Sequence, residues 1–78
     1  MKPVSEIDRY VIQKVRERRK ALKLTQEDIG AALGVSSSFI AQIESDNTDA
    51  RYNLKHLNEL ALVLKCTLYD LLPEKPFR

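Results

Sequence analysis

Ile7, Val11, Val15 and Leu22 recur at helical spacing along one side of the first part of the chain, which predicts a helix from about Glu6 to Leu22. Ser5, followed three residues later by Asp8, has the form of a capping arrangement at its start. Arg18 and Arg19 flank the apolar stripe, one on each side. One of the two therefore lies at the edge of the core and needs a partner carboxylate, and periodicity does not say which.

Thr25 supplies the next N-cap, with Asp28 three residues later, and Ile29 and Leu33 give a short second helix a narrow apolar face that ends at Gly34. Gly30 inside this helix costs about 1 kcal/mol relative to alanine, which makes sense if another helix backbone approaches closely there. Ser36 caps a third helix. Its buried direction is set by Ile40 and Ile43, with Phe39 beside them and Val35 just before the start. Ser38, Ala41 and Ser45 then point away from the core, and Ser37 and Gln42 lie on the flanks. The outward face of this helix is made only of small residues and one glutamine.

The stretch SDNTDARYN, Ser45 to Asn53, is polar and reads as a loop. Leu54, Leu57, Leu60, Ala61 and Leu64 give a fourth helix, and TLYDLLP, Thr67 to Pro73, a capped helical turn stopped by proline. The tail, residues 74–78, is expected to fray. Five helices without a strand pattern predict an all-α fold, a compact five-helix bundle in a single domain spanning residues 1–78. The second and third helices meet across Gly34, Val35 and Ser36 as in a helix-turn-helix, with the motif at about residues 25–45.

Composition narrows the functional classes. The 44% hydrophobic and 31% charged residues suit an ordinary folded protein. The apolar stretches are far shorter than the roughly 20 residues needed to span a bilayer, and Met1 to Tyr10 holds no signal-peptide hydrophobic region, so a cytoplasmic protein without membrane contact is expected. Cys66, the one cysteine, has no second thiol for a disulfide or a metal site. A net charge of +2 says little on its own, but residues 1–35 carry eight Lys or Arg against five Asp or Glu. The excess is concentrated in KVRERRKALK, Lys14 to Lys23, which is either a solvated helix face or an anion-binding surface.

The segment RRKALKLTQEDIGAALGVSSSFIAQIE, with the downstream spacing of leucines, resembles the phage repressor and Cro type of helix-turn-helix, the XRE family, over about Val11 to Leu72. That resemblance implies a repressor-like bundle whose third helix enters the major groove of double-stranded DNA. Small outward groups suit such a helix, since serine bonds to any base edge, alanine packs on a thymine methyl, and glutamine pairs with adenine. By position, Ser37, Ser38, Ala41 and Gln42 are then base contacts. Gln26 and Ser36 are phosphate contacts, joined by the basic residues Lys23, Arg18 and Arg51. The resemblance also assigns Arg19 to a structural ion pair with Glu44, leaving Arg18 for solvent or phosphate. Two departures from the family stand out. The loop after the third helix carries Asp46 and Asp49 and offers only Arg51, and no Lys or Arg lies on that helix's outward face.

A sequence-specific transcriptional regulator that binds DNA as a homodimer is the function these features imply. The competing class is a helical protein-interaction module, antitoxin-like or coactivator-like. An enzyme is not expected, because His56 and Cys66 form no nucleophile–base pattern. His56 is expected on the surface of the fourth helix, and no cofactor, metal or small-molecule ligand is expected.

Overall fold

Five helices follow one another in the computed structural model, which describes residues 4–45 and 48–78. They are α1 (Glu6–Ala21), α2 (Gln26–Leu33), α3 (Ser37–Glu44), α4 (Leu54–Val63) and α5 (Leu68–Leu71). Among the described residues there is no strand, so the fold is all-α. Every helix begins at a polar residue, Ser5, Thr25, Ser36, Asn53 or Thr67, whose side chain accepts a backbone N–H three positions on. At Thr25 and Thr67 the box is closed by Asp28 and Asp70, which accept the cap N–H at 2.8 and 2.9 Å. Those backbone bonds, followed by the threonine hydroxyls, hold both carboxyls below their ordinary range. In α4 histidine takes this part: His56 Nδ1 accepts from the Asn53 N–H at 3.1 Å, and its half-buried ring packs edge-on against Phe39 and Tyr52.

Three helices end alike. The N–H groups of Leu24, Val35 and Cys66 donate back to the carbonyls of Arg19, Gly30 and Ala61, closing α1, α2 and α4 with Schellman motifs. The residue before each is left-handed: Lys23 (φ 60°), Gly34 (φ 72°) and Lys65 (φ 57°). Only at Gly34 does the sequence supply the residue that favours this conformation.

The core gathers a fully buried side chain from each helix: Val15, Ile29, Ile40, Ile43, Leu60 and Leu71, with Leu64 at the end of α4. Each aliphatic group so buried contributes about 1.5–3 kcal/mol. The stripe of α1 differs from expectation, since Ile7 and Leu22 are exposed and Ile12 is buried. Ile7 lies in the first turn of α1 and Leu22 just past its last residue, and the buried row is Val11, Ile12, Val15 and Arg19. Leu54 is likewise exposed, being the first residue of α4 rather than part of its buried face. The tail, expected to fray, carries Phe77 to 6.0 Å from the Tyr10 ring, with Lys14 Nζ 5.7 Å from the centroid of that same ring.

Tyr52, in a stretch that reads as a polar loop, is buried in the core, and its hydroxyl has no hydrogen-bond partner among the described residues. Burial first, then the negative charge of Glu44, push this phenol well above its ordinary value, against the opposing charge of Arg19. An unpartnered buried hydroxyl is a cost to folding. Tyr52→Phe is therefore expected to stabilise the protein by about 1 kcal/mol, raising the melting midpoint by about 4–8 °C. A lower midpoint would show that the hydroxyl has a partner in solution.

Candidate functional site

The turn between α2 and α3 is fixed by two glycines for different reasons. A Cβ on Gly30 would lie 2.7 Å from the Val35 carbonyl oxygen and 3.2 Å from the Ser36 carbonyl, so the start of α3 packs directly on the backbone of α2. Gly34 supplies the left-handed residue that reverses the chain. The close approach inferred from Gly30 thus involves the backbone entering α3. Ser36 then caps α3 by accepting from the Phe39 N–H at 3.1 Å.

Within α3, Ile40 and Ile43 are buried and Phe39 is half-buried against the core, whereas Ser37, Ser38, Ala41 and Gln42 are all exposed. The four residues form one uncharged outward surface with no bulky apolar group. The Gln42 backbone carbonyl, near the end of α3, accepts from Thr48 Oγ at 2.8 Å and from the Ser45 N–H at 3.1 Å. Thr48 carried no signal in the sequence beyond its polarity in a turn-rich segment. Asp46, in the same loop, lies outside the described residues, and Asp49 is exposed.

One carboxylate ties α3 to the rest of the molecule. Arg19 donates to Glu44 through Nε at 3.0 Å and Nη2 at 2.9 Å, and its Nη1 donates to the Leu24 carbonyl at 2.8 Å. The Arg19 side chain is 9% exposed and that of Glu44 4%. Arg19, then, is the arginine at the core edge. Gln26 Nε2, at the first position of α2, donates to the same Glu44 Oε1 at 3.0 Å, and Arg16 Nε stands 3.6 Å from it. Three elements therefore meet at one buried acid.

The basic run of α1 divides between two sides. Arg18, expected at phosphate, instead donates from Nε to the Leu64 carbonyl at 2.9 Å and from Nη2 to the Lys65 carbonyl at 3.0 Å. It satisfies the exposed carbonyls at the end of α4, where a cation is favoured by the helix dipole. That role depends on a contact 46 residues away, which local periodicity cannot show. Lys14 lies one helical turn before Arg18, and both line a shallow depression beside Asp70 of α5. Arg16 and Lys20 share a different face of the helix, and Lys23 is exposed just beyond its end. Arg51 sits near the start of α1, with Nε 3.8 Å from Asp8 Oδ2 and Nη1 donating to the Asp49 carbonyl at 3.3 Å. Its charge is thus partly answered within the chain.

Among the described residues no group of three His, Cys, Asp or Glu could hold a metal ion. None of the described helices is long and apolar enough to cross a membrane. Cys66 is half-buried, and its burial pushes the thiol up against the opposing charge of Arg18.

The helix-turn-helix family HTH_3 matches residues 15–71. Among solved structures, the restriction-modification controller protein C.AhdI from Aeromonas hydrophila superposes with a TM-score of 0.65 at 26% identity, over 80% of this chain and 91% of that one. Hydroxypropylphosphonic acid epoxidase from S. wedmorenis superposes with a TM-score of 0.73 at 20% identity, over 88% of this chain. The present chain spans 36% of the epoxidase, and at that identity the likeness concerns the fold alone. No curated protein matches the sequence.

Proposed function

This chain belongs to the HTH_3 helix-turn-helix family, and from that premise we propose that it is a sequence-specific transcriptional regulator that places α3 in the major groove of double-stranded DNA. The observation that carries this reading is the outward surface of α3, where Ser37, Ser38, Ala41 and Gln42 are exposed and small while Ile40 and Ile43 fix the opposite side in the core. Such a surface admits close approach to base edges and supplies donors, acceptors and a methyl for them. Gln26 and Ser36 are placed at the starts of α2 and α3, where free amides favour a phosphate, and Lys23 adds charge nearby. Likeness to a controller protein over 80% of this chain supports a regulatory role. Selection of bound duplexes from a random library tests the reading, because it reports a defined motif if α3 reads bases and none if it does not.

A homodimer on DNA completes the proposal, since one short helix reads too few bases for useful selectivity. Support comes from the apolar side chains left outside the core on α4 and α5, Leu62 at 77% exposed and Tyr69 at 87%, with Phe77 half-covered by Tyr10. The expected result is two chains per duplex in sedimentation and a footprint over two half-sites about 34 Å apart. One chain on a single half-site would contradict it. A tight complex with another protein and no duplex affinity would favour the protein-interaction reading instead.

A further inference from the structure

We propose that Arg16 and Gln26 form a single phosphate clamp held by Glu44, and that Arg16, not Arg18, is the arginine of α1 that meets the DNA backbone. The proposal rests on the DNA-binding reading above and names a contact which that reading lacks. Glu44 already receives three hydrogen bonds, two from Arg19 and one from Gln26, all at 2.9–3.0 Å. Arg16 Nε, at 3.6 Å, is beyond hydrogen-bond distance, and its side chain is 43% exposed. Two guanidinium groups thus share one buried carboxylate, and one positive charge is left over at the surface.

That surplus charge stands where an anion is wanted. Gln26 is the first residue of α2 and Glu44 the last of α3, so Arg16 lies over the junction of the helix-turn-helix with α1. Lys20 is one helical turn further along the same face of α1. Gln26 keeps a second amide hydrogen after donating to Glu44, and its backbone N–H has no partner within the helix. Arg16 gives up little on leaving a carboxylate already satisfied by others, and its planar fork matches two phosphate oxygens. Arg18 is held elsewhere, because its Nε and Nη2 donate to the carbonyls at the end of α4.

The test is the salt dependence of binding to a selected operator and to an unrelated duplex. Arg16→Gln is expected to flatten the slope of log K against log salt by about 0.9, so that the loss of affinity between about 50 and 200 mM salt shrinks about threefold, equally on both duplexes. Its melting midpoint should match wild type, because Arg19 retains Glu44. Arg16→Lys should restore the slope. Lys14→Gln, on the other side of α1, should leave the slope unchanged. A wild-type slope in Arg16→Gln, or an equal fall in Lys14→Gln, would overturn the clamp. Absence of any duplex binding by the wild-type protein would remove the DNA-binding reading itself, and the clamp with it.

Discussion

Glu44→Ala is expected to cost about 3–5 kcal/mol of folding stability, the usual consequence of removing one partner from a buried ion pair. The reason lies in what remains. Arg19 would stay in a site where its side chain is 9% exposed, with only the Leu24 carbonyl to receive its donors, and Gln26 would lose its partner as well. A chain of this length has a total stability of about 4–12 kcal/mol, so the variant should melt tens of degrees lower or lack a cooperative transition. Because the penalty comes from the stranded charge, the double variant Arg19→Met with Glu44→Leu is expected to be more stable than Glu44→Ala alone. Thermal melting of the three proteins decides it. A Glu44→Ala midpoint within error of wild type would mean that the pair is solvated and does not hold α3.

Local signals disclosed what is local. Ser5, Thr25, Ser36 and Thr67 mark helix starts because capping depends on residues three apart, and Ile40 with Ile43 orients α3 because two buried residues fix a short helix. The α2–α3 turn was legible in Gly30 and Gly34 for the same reason. What failed depends on partners distant in sequence. Arg18 is directed by carbonyls at the end of α4, Ile12 rather than Ile7 or Leu22 completes the buried row of α1, and Tyr52 is buried despite its polar neighbours. Arg16 is one charge among many in the basic run, and only the fold brings it to the Glu44 oxygen that Gln26 also bonds. The outward row of α3, by contrast, followed directly from the wheel.

Gln42→Ala is expected to lower affinity for the preferred operator by about 1–3 kcal/mol, roughly five- to 150-fold, with little change on unrelated DNA. Gln42 is the one long polar side chain on the exposed surface of α3, and its amide is suited to the adjacent N6 and N7 of adenine. Its side chain takes no part in the core, and the bond from Thr48 goes to its backbone carbonyl. Alanine therefore removes the base contact and leaves the helix and its end intact, so the melting midpoint should not fall. The decisive measurement is the affinity of wild type and Gln42→Ala, at one salt concentration, for the selected operator, each of its single-base variants and a nonspecific duplex. The account predicts that discrimination collapses at one base position per half-site while nonspecific affinity is kept. Equal weakening on every duplex, or no weakening on any, would contradict α3 as the reading helix.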